Sequence, residues 1–352
     1  MAKELMKGNV AAAEAAIRAG MDFFAGYPIT PSTEVLEHLA LRMPQENREM
    51  IQGENEIASM NMVIGAAACG ARAMTASSGP GISLKAEAFS YAARSELPYV
   101  CLNVQRWGVG LGRLDSGQSD YMRETKGGGH GDYHHIVYSP STIQELVDDI
   151  YEAWDVSEKY RCGVVVLSEG FLGQMMESVE IPPYKKREKP LGWGIDGSGK
   201  IGTRQSPDTD TLVARLRERT ALIQSQMQRY ENYQVEDAEY VFVAFGLPAR
   251  VCRDAVDTLR AKGEKAGLIR PRLVWPYPVQ AFKEVNPQVK GFISIESNDL
   301  GQMVEDVALA SRVTSDKRVP VYCYAHSMGT PGVKMVMGKY MEVKNGSMKE
   351  VF

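Results

Sequence analysis

The first half of the chain alternates short apolar runs of strand length with longer stretches whose apolar residues recur at helical spacing. Asn9 is placed to cap a helix over 11–18 that stops at Gly20, and 21–25 reads as a short strand. Pro31 suits the first turn of a helix running to about Arg42. A short strand at 50–52 leads into a long apolar helix from about Glu56 to Cys69, with Gly70 as its stop. Residues 72–77 are strand-like, Ser78-Gly-Pro-Gly81 is a turn, 82–94 is a helix and 99–104 a buried strand. A Gly-rich loop covers 108–131, followed by a strand at 136–138, a helix over 142–158 and a strand at 163–167. Strands alternating with helices predict a parallel sheet covered on both faces.

The pattern changes between about 181 and 237. Lys185-Lys-Arg-Glu-Lys189 and 192–202 read as an exposed linker. Residues 208–232 read as a polar helix with Leu212, Leu216, Leu222 and Met227 along one side. A second alternation follows: strand 240–245, helix 248–262, strands 266–269 and 291–295, helix 300–312 and strand 319–322. The expected organisation is two α/β domains, 1–180 and 238–345, joined by a connection at 181–237 that contains a helix.

A chain of 352 residues is long enough for two hydrophobic cores. The net charge of -4 offers no attraction for a polyanion, which argues against nucleic acid as a partner. The longest uncharged apolar stretch, 57–71, is too short to span a bilayer and is interrupted by Gly65 and Gly70. With no apolar signal core near the start, the expected location is cytoplasmic, with no membrane partner. Cys69, Cys101 and Cys323 sit in apolar runs and read as small core residues, and no CxxC occurs. No metal or iron–sulfur site is therefore expected within the chain.

Three places stand out at the carboxyl ends of expected strands, the edge where open parallel sheets bind ligands. In Gly26-Tyr-Pro-Ile-Thr-Pro-Ser32, Thr30 precedes a helix start, so its hydroxyl and nearby backbone N–H groups would suit a small carboxylate; alternatively it caps its own helix. In Gln52-Gly-Glu-Asn-Glu-Ile57, Glu54 and Glu56 lie at the mouth of the apolar helix. A first-turn carboxylate often serves only the helix dipole, but burial would suit it to proton exchange. In Val104-Gln-Arg106 a buried strand ends in a guanidinium shaped to hold a carboxylate, or simply in a loop salt bridge. Gly108-Val-Gly-Leu-Gly112 is not a dinucleotide fingerprint, and 127–135, with three of the five histidines, reads as a flexible substrate-covering loop.

Together these residues resemble the alpha subunit of the 2-oxoacid:ferredoxin oxidoreductases. The resemblance is carried by GYPITPSTE at 26–34, ENEIASMNMVIGAAACGARAMTASSGPGISL at 54–84 and ELPYVCLNVQR at 96–106, and by EYVFVAFG at 239–246 with ESNDLGQM at 296–303. Within the family, GGGHGDY at 127–133 is most similar to the branched-chain (2-oxoisovalerate) members, with 2-oxoglutarate members as the alternative.

The resemblance implies a thiamine-diphosphate-binding doubly wound α/β domain followed by a transketolase C-terminal-like α/β domain. Counted back from Gly65, it assigns Glu56, rather than Glu54, as the catalytic acid that shares a proton with N1′ of the aminopyrimidine. It places Tyr27, Pro28 and Ile29 beside the cofactor, and Thr30 and Arg106, with His130 as a further candidate, on the substrate. Coenzyme A would receive the acyl group and ferredoxin the electrons, through [4Fe-4S] clusters. The GDG…N signature that holds Mg²⁺ and diphosphate is missing, the nearest string being Gly194-Ile-Asp-Gly197. The resemblance thus implies a beta subunit carrying that half of the site and a cluster, with gamma and ferredoxin-like delta subunits. A reading of another class is a non-catalytic scaffold subunit of such a complex.

Overall fold

The computed structural model describes residues 3–185, 208–327 and 329–352. Its larger sheet has seven strands, in the order Leu273–Trp275, Ile136–Tyr138, Gly163–Glu169, Tyr99–Gln105, Ala73–Ser77, Phe23–Gly26 and Glu49–Gln52. All neighbours are parallel except the first pair. Tyr99–Gln105 and Gly163–Glu169 are buried along their whole length, which their near-continuous apolar runs require. Helix Gly8–Arg18 packs against Thr33–Gln45 and Ile143–Tyr160. Its small Ala11, Ala12, Ala13, Ala15 and Ala16 are all fully buried, allowing close approach. Helix Glu56–Ala68 packs on Pro80–Arg94.

A second sheet of five strands runs Val321–Ala325, Gly291–Glu296, Tyr240–Val243, Ala266–Pro271 and Tyr230–Tyr233, with only the last pair antiparallel. Helices Gly246–Arg260 and Val333–Lys344 pack together beside it. The two sheets are stitched by Gln118, whose side-chain amide donates to Phe245 O at 2.9 Å and accepts from Ser297 N at 3.0 Å. Tyr121 adds a 2.6 Å hydrogen bond to Asp306.

Several elements differ from the sequence reading, for tertiary reasons. Asn9 lies inside its helix and caps nothing; its amide donates to Pro31 O at 2.8 Å and Glu34 at 3.2 Å. The helix expected from Pro31 starts at Thr33, after a turn in which Ser32 N–H donates to Ile29 O. Pro31 and Ser32 are taken up by that turn, so the first helical residue is Thr33. Helix Pro80–Arg94 takes in the last two residues of the expected turn, with Pro80 at its first position. The Gly-rich loop contains a helix, Tyr121–Lys126, held by the buried Tyr121. Helix Thr209–Gln226 buries Leu212 and Ile223, while Leu222 is exposed.

Cys69 follows the end of its helix and is exposed, not core. The expected helix from Leu300 begins at Val304, because Glu296 accepts the backbone N–H groups of Gln302, Met303 and Val304. Gly194-Ile-Asp-Gly197 and the expected linker at 192–202 lie outside the described residues. Among the described residues no helix is long and apolar enough to cross a membrane.

Candidate active site

The parallel strands place the carboxyl ends of Phe23–Gly26, Ala73–Ser77, Tyr99–Gln105 and Gly163–Glu169 along one edge. There the turn Ser78–Gly81 is flanked on both sides. A Cβ added at Gly81 would lie 2.5 Å from Glu56 Oε1, and one at Gly79 would lie 3.3 Å from Arg106 Nε. Arg106 Nη1 donates to Thr30 O at 2.6 Å and Nη2 to Leu111 O at 2.8 Å. Thr30, Arg106 and Glu56 are thus gathered around one turn, though they come from three separate segments.

Local chemistry explains why Glu56 is held there. Asn55 caps the helix by accepting from Ala58 N at 2.9 Å, so the next residue enters the first turn with its side chain against the neighbouring helix. Glu56 is only 6% exposed. Glu54, on the outer side of the cap, is exposed. No hydrogen bond from a described residue reaches the Glu56 carboxylate. The helix N-terminus favours its negative charge. A buried, unpartnered acceptor at a sheet edge is suited to a donor from a bound molecule.

The surroundings carry the same signature. The hydroxyls of Ser77 and Ser78, both ends of the Gln105 amide and Arg106 Nε are buried without hydrogen-bond partners among the described residues. Native interiors leave few such groups unsatisfied, so their concentration along this edge marks a place built for a ligand. Burial pulls the Arg106 guanidinium down from its ordinary value, against the attraction of Asp120. Tyr27 and Thr30 are exposed, and Pro28 and Ile29 are half-buried, so this segment offers a surface to what lies outside the chain.

His130 is placed elsewhere. It is exposed in a groove with Ser90, Tyr91, Arg94 and Leu212, along the second half of the helix whose start holds Gly81. Tyr133 fixes this loop by accepting from Gly129 N at 3.1 Å.

Two groups were missed from the sequence. Glu169, ending its strand, is buried between the sheets, where it accepts from Gln118 Nε2 at 3.1 Å and Leu247 N at 2.9 Å. Burial pushes its carboxyl up to about 7, against the lowering effect of those two donors. Lys85 is fully buried one turn beyond Gly81. Its signal was available: it interrupts the apolar stripe of Ile82, Phe89 and Ala92, where a charge is out of place.

A family model described as pyruvate flavodoxin/ferredoxin oxidoreductase, thiamine diphosphate-binding, matches residues 14–243. The chain belongs to this family. A second model, pyruvate:ferredoxin oxidoreductase core domain II, matches residues 238–336. The ketoisovalerate oxidoreductase subunit VorB of Methanothermobacter marburgensis is 43% identical over 88% of this chain and 90% of that protein. The 2-oxoglutarate synthase subunit KorA of the same organism is 34% identical over 86% of this chain and 89% of that protein. Among solved structures, 2-oxoglutarate:ferredoxin oxidoreductase from Magnetococcus marinus superposes with a TM-score of 0.84 at 26% identity. The alignment covers 97% of this chain and 65% of that one, so the chain spans about two thirds of that neighbour's length. A split gene transketolase shares the fold, with a TM-score of 0.58 at 12% identity and coverage of 97% and 94%. The fold class expected from the resemblance, a thiamine-diphosphate-type α/β domain followed by a transketolase C-terminal-like one, is the one found.

Proposed function

We propose that this chain is the alpha subunit of a thiamine-diphosphate-dependent 2-oxoacid:ferredoxin oxidoreductase that acts on a branched-chain 2-oxoacid. Coenzyme A takes the acyl group, CO₂ is released, and electrons pass through [4Fe-4S] clusters to ferredoxin. The observation that carries the reading is Glu56: a buried residue whose carboxylate accepts no hydrogen bond from a described residue, at a helix start beside Gly81. When bound, thiamine diphosphate supplies an electron sink for the carbon that loses CO₂.

The chain's own residues divide the remaining work. Glu56 holds a proton at N1′ of the pyrimidine. Tyr27, Pro28 and Ile29 form the surface beside that ring. Arg106 and Thr30 receive the substrate carboxylate, at a point where two loops are already braced by the guanidinium. His130 sits on the outer groove and serves the covering loop rather than the reacting atoms.

The rest of the site comes from outside. Helices Glu56–Ala68 and Pro80–Arg94 expose Ile57, Met62 and Leu84 near the catalytic acid, an apolar surface. A beta subunit bringing Mg²⁺, diphosphate ligands and a cluster fits against it, with gamma and delta subunits completing a cytoplasmic complex. No group of acidic, histidine or cysteine residues able to hold a metal occurs among the described residues.

The branched-chain reading is favoured over 2-oxoglutarate by the relatives' identities, 43% against 34%. It is also supported by Val109, Leu111 and Leu114, exposed on the loop that Arg106 anchors. Reconstituting the complex with Glu56→Gln decides between catalysis and a scaffold role. Loss of most activity is expected, and retention of it would favour the scaffold. Comparing kcat/KM for 2-oxoisovalerate and 2-oxoglutarate decides the substrate.

A further inference from the structure

Lys85 is fully buried on the same helix face as Gly81, four residues further in. Its Nζ donates to the backbone carbonyl of Glu56 at 3.3 Å, a long bond and the only one it makes to a described residue. Lysine is almost never fully buried without a charged partner, because its ammonium loses its hydration there. Methionine or leucine would fill the space at no such cost. Something other than packing holds a cation at this position.

The groups facing it identify that role. Among the described residues, two titratable groups act on Lys85: Cys101 from strand Tyr99–Gln105 and Glu56 from helix Glu56–Ala68. Burial, chiefly, and Glu124 push the Cys101 thiol far above its ordinary value, against the pull of Lys85 and Arg123. Cys101 is therefore a neutral thiol at physiological pH and offers no charge. Glu56 is left as the acid that supports the ammonium.

We propose that Lys85, as an ammonium ion, is a positioning residue for Glu56: it ties down the helix start carrying this acid and holds a positive charge beside it. The inference rests on the reading of Glu56 as the acid that faces the pyrimidine. Desolvation brings Lys85 down to about 8, with Cys101 and Glu56 opposing that fall. The ammonium is present below that pH and lost above it. The complex should therefore lose activity along an alkaline limb centred near the Lys85 midpoint.

The first test needs no cofactor. In the full chain labelled with ε-¹³C-lysine, the Lys85 signal is assigned by its disappearance in Lys85→Met or Lys85→Arg. It should titrate near 8 in the parent and lower in Glu56→Gln. A midpoint at the ordinary lysine value of about 10.4, or one that ignores Glu56→Gln, overturns the proposal. The second test uses the reconstituted complex. Lys85→Met should lose about tenfold or more in kcat and with it the alkaline limb. Lys85→Arg, which stays charged, should recover part of the rate and move the limb upward. Parental rate and pH profile in Lys85→Met would reduce Lys85 to packing. If Glu56→Gln instead left the complex fully active, the reading of Glu56 itself would fail, whatever Lys85 does.

Discussion

Glu56 and Gly81 meet across two packed helices so closely that a single added carbon at Gly81 would stand 2.5 Å from Glu56 Oε1. The same carbon would lie 2.3 Å from Ser77 Oγ. Both neighbours are ends of rotatable side chains, so Gly81→Ala should fold while forcing the carboxylate aside. A displacement near 1 Å at a reacting group costs on the order of 10²-fold in rate. We expect that loss in the reconstituted complex, with thermal stability of the isolated chain close to the parent's. A variant with full activity would show that Glu56 works from another position.

Arg106 gives a prediction that separates binding from bracing. Its two terminal nitrogens are engaged by the carbonyls of Thr30 and Leu111. A lysine can satisfy one of these as a point charge but not the fork. Arg106→Lys should raise KM for the 2-oxoacid by about tenfold, the size of one charge-assisted hydrogen bond, with a smaller change in kcat. Steady-state kinetics over a range of substrate concentrations check this. An unchanged KM would assign Arg106 to loop bracing alone.

Glu169 makes stability depend on pH. Its carboxyl lies at about 7 in the folded chain, against an ordinary value of 4.5. A raised carboxyl pKa means that the folded state prefers the neutral acid. The stability Glu169 allows is complete below about 4.5 and declines as pH rises through about 7. Glu169→Gln is insensitive to that change. Relative to the parent, it should gain stability between pH 4 and pH 8, by about 3 kcal/mol at most. Denaturant titrations of both chains at the two pH values measure the difference, and a constant difference would refute it.

Much of this was legible from the order of residues. The alternation of apolar strands and helices gave the parallel sheets, because buried parallel strands require continuous apolar runs. Leu273–Trp275 and Tyr230–Tyr233 are not in the sequence reading, the second because it falls in the stretch read as the end of the polar helix over 208–232. Local pattern left Glu54 and Glu56 equivalent; the cap at Asn55 between them buries one and exposes the other.

Pro31 predicts a helix start just after Thr30, but the helix begins at Thr33 and the surroundings of Thr30 are set by Arg106, 76 residues away. His130 shared a Gly-rich segment with no visible anchor. Its place is decided by Tyr133 and by the close approach of Gly129 to Ala86, contacts that spacing does not encode.

On the proposed function, Glu56 exchanges a proton with a pyrimidine held from across a subunit boundary. Deuterium exchange at C2 of thiamine diphosphate in the reconstituted complex, read by acid quench and proton NMR, tests it before any substrate is added. Glu56→Gln should slow the exchange by about 10²-fold or more, with the cofactor still bound. Exchange at the parental rate in that variant would mean that Glu56 is not the acid facing N1′.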